Sequence, residues 1–160
     1  MTILALDPGP TQTGWVIFGA GAVHDSGVSD NHDVLRWVQA GQGCDMLAIE
    51  MMYASGMPAG NDHFRTLVWV GRFIQVWREP DDVKLINRRD VKLQLCGSVR
   101  AKDSNIRQAL IDAVGVVGTK KAPGPCYGVK SHAWAALGVA VTASRARFAP
   151  AHAREAQELA

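Results

Sequence analysis

The sequence predicts an α/β domain, a mixed five-stranded sheet flanked by helices. Three observations point there. Ile3-Leu4-Ala5-Leu6 and Met46-Leu47-Ala48-Ile49 are short apolar runs bounded by turn signals, which suits strands buried on both faces. Segments with helical spacing separate the strand-like runs. The order is strand, two hairpin strands, helix, strand, helix, strand, then helices only.

The first strand is expected over about 2–7. Trp15-Val16-Ile17-Phe18 and Ala22-Val23-His24 read as the next two, joined as a hairpin around Gly19-Ala20-Gly21. Val34, Leu35, Trp37 and Val38 have helical spacing, with Asp30 or Asn31 as the cap and Gly41-Gln42-Gly43 as the stop. A fourth strand follows at about 45–50. Tyr53 to Asn61 is rich in Gly, Ser, Pro and Met and should be an exposed loop. The helix predicted from Asp62 to Arg78 is apolar on more than one face, so it is either sandwiched in the core or shared with a partner chain. After the break at Glu79-Pro80-Asp81-Asp82, a short strand covers Val83 to Ile86. Two basic helices are expected at about 88–96 and 103–115, the second capped by Asp103 or Ser104. The Gly- and Pro-rich stretch 116–128 reads as a mobile loop, and a last helix runs from about Val129 to Arg147. One domain over 1–148 and a tail at 149–160 are the expected organisation.

Hydrophobic residues make up 48% and charged residues 20% of the 160, an ordinary balance for a soluble globular protein. No apolar stretch approaches the ~18 residues of a membrane span, and Met1-Thr2-Ile3 lacks the basic start of a secretory signal. Cys44, Cys96 and Cys126 are widely spaced and read as reduced thiols, so a cytoplasmic location is expected. The net charge of +2 hides a division. Residues 1–83 carry four basic and ten acidic side chains, whereas 84–130 carry ten basic and three acidic. An acidic site beside a basic stretch suits a metal-dependent enzyme acting on a polyanion. The plainer reading is that these Lys and Arg residues solvate helix faces.

Two strands deliver an acid to their ends: Asp7 after the first apolar run and Glu50 after the second. Ionised carboxylates are almost never buried unpaired, and two close together repel unless a cation lies between them. This arrangement points to a divalent metal site. Gly9 and Gly14 would permit unusual backbone angles and the approach of a phosphate, and Thr11 and Thr13 supply hydroxyls. Alone, Asp-Pro-Gly would be an Asp-capped turn. His132, placed at the start of the last helix, is the third candidate ligand, although a lone His there is more often a cap or surface residue. His24, His32, His63 and His152 have nothing to raise them above that reading.

The segments I-L-A-L-D-P-G-P-T-Q-T-G-W, L-A-I-E and V-K-S-H-A-W-A-A-L-G-V-A, in this order, resemble the RuvC-like Holliday-junction resolvases of the RNase H-like superfamily, particularly bacteriophage versions. The stretch N-R-R-D-V-K-L-Q-L-C-G-S-V-R-A-K-D-S-N-I resembles that family's basic region, and the likeness covers about residues 1–145. It implies an RNase H-like fold and a structure-selective endonuclease cutting branched DNA with Mg²⁺ or Mn²⁺, two ions per site. Asp7, Glu50 and His132 would take three metal-ligand positions. The fourth acid would fall at Ala135, which cannot bind a metal; Asp103 and Asp62 are the nearest substitutes. With imidazole in the ligand set, Mn²⁺ should serve at least as well as Mg²⁺.

The resemblance also implies that Arg88, Arg89, Lys92, Arg100, Lys102, Lys120, Lys121 and Lys130 hold DNA phosphates. Tyr53 would either stack on the junction core or simply anchor its loop. Symmetric cutting of two strands calls for a homodimer, with helix 62–78 as the contact. Three rival readings remain. One is a non-catalytic nucleic-acid-binding module on a decayed nuclease fold, and another is an RNase H-like nuclease with a different substrate. The third follows from D-P-G-P-T-Q-T-G, which also looks like the phosphate loop of sugar-kinase and actin-type ATPases; those use two such domains, and this chain supplies one.

Overall fold

Alternation along the strands decides where the core and the site fall. The computed structural model describes residues 1–53, 56 and 58–145. Its strands are β1 (Thr2–Pro8), β2 (Gln12–Gly19), β3 (Ala22–Asp30), β4 (Met46–Met51) and β5 (Lys84–Asn87). The helices are α1 (Asn31–Ala40), α2 (Asn61–Val76), α3 (Arg88–Cys96), α4 (Asp103–Val114) and α5 (Ala133–Arg145). The strands form one sheet in the order β3-β2-β1-β4-β5. β1 pairs with β2, and β2 with β3, antiparallel, while β1, β4 and β5 run parallel. This is the predicted mixed five-stranded α/β architecture.

Side chains two apart on a strand share a face. Ile3, Ala5, Ala48 and Ile86 therefore pack on one side of the sheet, against α5, α3 and α4. Leu4, Leu6, Leu47 and Ile49 pack on the other side, with α1 and α2. Helix α5 is buried along most of its length because it is built of Ala, Gly, Val and Leu. At Gly138 a Cβ would stand 3.0 Å from Val91 of α3, so glycine sets that helix spacing.

Several boundaries differ from expectation. β3 extends to Asp30 rather than ending near His24. Its polar second half, Asp25-Ser26-Gly27-Val28-Ser29, has no strand-like pattern and is an edge strand held by pairing with β2. Gly27 leaves room for Trp15, whose ring carbons would lie 3.0–3.1 Å from a Cβ there, and the Trp15 indole donates to Ser29 Oγ at 2.9 Å. The hairpin turn is Ala20-Gly21, both at positive φ. Asp30 is the α1 cap, accepting from His32 N–H.

At α4 neither Asp103 nor Ser104 is the cap. Lys102 occupies that position, and the Asn105 side chain accepts the Lys102 N–H at 2.9 Å. Helix α5 starts at Ala133, four residues later than expected, because Ser131 adopts a left-handed conformation (φ 46°) that breaks the helical path. Segment 116–128 is tied by backbone hydrogen bonds between its two limbs and anchored by buried Cys126. The expected tail 149–160, and the end of the last predicted helix, lie outside the described residues. Among the described residues no helix is long and apolar enough to cross a membrane, and all three cysteines are free thiols.

Thr142 Oγ1, inside α5, is buried without a hydrogen-bond partner. Thr142→Val keeps the shape and removes the orphaned hydroxyl. It should raise stability by about 1 kcal/mol in urea unfolding; a loss would show that the hydroxyl has a partner.

Candidate active site

Strand parity builds the site from the backbone. β1 and β4 are parallel, with Leu6 opposite Ile49, so the next residues, Asp7 and Glu50, end neighbouring strands at the same edge. Asp7 continues the face of Ile3 and Ala5, and Glu50 that of Ala48. Arg88 continues the face of Ile86, whose strand pairs Glu50 with Ile86. All three therefore point to the side covered by α5. There they line a cleft of about 380 Å³, together with Asp103, His132 and Ala135.

The turn that follows Asp7 and β1 is fixed by a polar network. Thr13 Oγ1 donates to Asn31 Oδ1 at 2.6 Å, and Asn31 Nδ2 donates to the Gly9 carbonyl at 3.0 Å. The expected glycine role changes here, since neither Gly9 nor Gly14 needs a left-handed backbone. A Cβ on Gly9 would lie 2.7 Å from the Gln12 carbonyl oxygen, and one on Gly14 2.5 Å from the His132 backbone. Glycine at 14 thus lets the chain before α5 lie directly on β2. His132 sits in that chain, one residue ahead of the helix, and its carbonyl accepts the Ala136 N–H. Its Nδ1 lies 3.0 Å from Asp7 Oδ2.

Charge in the cleft is poorly watered. The Asp7 and Glu50 side chains are 16% and 15% exposed, whereas His132 is open to solvent. Burial raises the Asp7 pKa, and the hydrogen bond from His132 opposes it. Burial and then the neighbouring Asp7 charge push Glu50 up to about 7, with Arg88 opposing. Arg88 Nη1 lies 3.4 Å from Glu50 Oε2, and its Nη2 lies 2.7 Å from Asp103 Oδ1. Burial works against the Arg88 charge, but Glu50 and Asp103 outweigh it and raise its pKa.

The cleft offers a donor set for a metal ion, though not a preformed one. Among the described residues, no three His, Cys, Asp or Glu side chains already surround a common point. Asp7 is engaged with His132, and Glu50 with Arg88. Yet two dehydrated carboxylates at adjacent strand ends, both raised in pKa, are hard oxygen donors that gain from a cation. They fit one divalent ion, which would sit beside the Arg88 contact on Glu50 and draw on the imidazole next to Asp7. Asp103 also lines the cleft; Asp62 lies in the first turn of α2 instead.

The other expected residues are spread more widely. Arg89 and Tyr53 line a neighbouring cavity of about 430 Å³ beyond Glu50, with His63. Lys92 is half-buried on α3, while Arg100, Lys102, Lys120, Lys121 and Lys130 are exposed. Two cleft residues were not anticipated: Arg107, and Trp134, whose ring lies 4.7 Å from the Arg107 guanidinium carbon. Arg88, expected on DNA phosphates, stands against Glu50 and Asp103. Its two-residue spacing from Ile86 was the available signal.

A search of solved structures finds this architecture elsewhere. The fold is RuvC-like. Thermus thermophilus RuvC in complex with a Holliday junction substrate superposes with a TM-score of 0.68 at 20% identity, covering 90% of this chain and 93% of that one. A second Thermus thermophilus RuvC structure gives 0.65 at 18% identity with the same coverage. No protein-family model matches the sequence, and no curated protein does. The RuvC likeness therefore rests on three-dimensional arrangement and establishes the fold.

Two outcomes follow from the geometry. Because its folded pKa is raised from 4.5 to about 7, Glu50 contributes stability fully below pH 4.5, and this is lost as pH rises through 7. In chelator, Glu50→Gln should stabilise by about 2–3 kcal/mol at pH 8 and change little at pH 4. Equal shifts at both would contradict the raised pKa. Separately, Gly14→Ala should cost about 1–3 kcal/mol through the clash with His132. Gly71→Ala, on an open face of α2, should cost nothing by the same denaturation measurement.

Proposed function

We propose that this chain is a metal-dependent, structure-selective endodeoxyribonuclease that cleaves phosphodiester bonds in branched DNA, such as Holliday junctions and related forks. The observation carrying this reading is the convergence of Asp7, Glu50 and His132 on one cleft at the strand ends of a RuvC-like fold. One of the similar structures is itself described as bound to a Holliday junction substrate. Mg²⁺ or Mn²⁺ is the cofactor proposed.

Asp7 and Glu50 would hold a divalent cation, which when bound lowers the pKa of a water and neutralises phosphate charge. Glu50 must be ionised to do so, which favours neutral to alkaline pH. His132 would steady Asp7 through Nδ1 or share the ion. Arg107 lines the same cleft, where its planar fork suits a phosphate. Arg89, Lys92, Arg100, Lys102, Lys120, Lys121 and Lys130 would hold the DNA arms through phosphates, which gives affinity without sequence information. Tyr53, beside Glu50, would stack at the branch point.

Paired cuts need two sites, so the reading includes a homodimer. Phe64 and Val68 are 57% and 62% exposed and lie four residues apart on α2, an apolar pair suited to a second copy. The alternative of binding without cleavage is favoured by Ala135, which presents only a methyl group to the cleft.

The test is incubation with labelled four-way, forked and linear DNA in Mg²⁺ or Mn²⁺. Paired nicks on branched DNA are expected, at least as fast in Mn²⁺, and Asp7→Asn should lower the rate by at least about 10³-fold. Binding without nicks would turn the reading to the non-catalytic module. Equal cutting of linear DNA would indicate a general nuclease, and activity in Mg²⁺ alone would remove His132 from the metal shell.

A further inference from the structure

The acidic cleft already contains a cation. Arg88 reaches Glu50 with one arm of its guanidinium and Asp103 with the other, at 3.4 Å and 2.7 Å. It is the first residue of α3, directly after Asn87, which caps the helix by accepting the Arg89 N–H. Asn87 in turn pairs with Met51 in the sheet. The Arg88 backbone is thus fixed relative to the Glu50 strand, and its side chain is only 30% exposed. Guanidinium does not lose its proton in proteins, so this charge is permanent.

The rest of the cleft lining lacks what a second ion would need. Ala135 lines the cleft and offers no donor. Asp103, the remaining acid of the cleft, is committed to Arg88. A second divalent ion beside Glu50 would have to expel the arginine and find its own ligands. Resting on the nuclease reading above, we propose that Arg88 is a fixed positioning cation that takes the place of a second metal, so each chain binds a single catalytic divalent ion. Its fork holds Glu50 in place and turns a constant positive charge toward the phosphate that enters the cleft. Asp103 orients the fork from the outer side.

Counting ions tests this without relying on activity. Mn²⁺ is titrated at pH 8 into the native protein, Asp7→Asn and the double variant Arg88→Gln/Ala135→Asp, with free Mn²⁺ read by electron paramagnetic resonance. Thermal melts first establish that each variant is folded. The native chain should bind one ion that Asp7→Asn lacks, and the double variant should bind two. Two ions on the native chain, or a folded double variant that holds one, would overturn the role of Arg88 and leave the nuclease reading standing. No ion on the native chain would overturn both.

Discussion

Two carboxylates forced together at the edge of a sheet, with little water to solvate them, set the terms for the rest of this molecule. Asp7 and Glu50 stand at the ends of adjacent parallel strands on the same face. Such strands lie about 4.8 Å apart, so ionising both is opposed by desolvation and by mutual repulsion. A purely structural role would have favoured Asn or Gln at one position, since an amide is buried at lower cost than a charge. Retaining both acids makes sense where a cation completes the site.

The surrounding fold is arranged to hold this unfavourable pair still. Thr13 and Asn31, both buried, fasten the turn after β1 through their side-chain hydrogen bonds. Gly14 removes the Cβ that would hold His132 away from β2, and Ser131 accepts a left-handed backbone so that the chain turns before α5 begins. These choices cost conformational freedom and some strain. They bring an imidazole to within 3.0 Å of Asp7. The apolar α5 then packs on the same face of the sheet.

The elements with strong hydrophobic periodicity were legible in the sequence. β1, β4, α1 and α3 lie where their apolar patterns and end signals place them, and Asp7, Glu50 and His132 do line one cleft. What escaped was non-local. The second half of β3 is polar, and only its pairing with β2 makes it a strand. The α4 cap depends on a backbone bond to Asn105 rather than on the residue type at the cap. The late start of α5 follows from the left-handed backbone of Ser131, which the residue type does not announce. Arg88 was grouped with the surface cations because composition counts charges without directions. Strand parity from Ile86 would have aimed it at Glu50.

That direction changes how the charge division along the chain should be understood. Ten basic side chains fall within 84–130, but they do not form one uniform patch. Arg88 faces inward on the acids, Arg107 lies over Trp134 at the cleft wall, and Lys120, Lys121 and Lys130 stand exposed on the approach to α5. On the function proposed above, a polyanion drawn in by the outer lysines would meet less screened charge as it neared the cleft, because interactions strengthen where water is excluded. The inner arginine would temper the repulsion that Asp7 and Glu50 exert on a phosphate. A cleft lined by bare acids would repel the substrate proposed here. One with a built-in guanidinium could admit a phosphate while Asp7 and Glu50 still take up a cation.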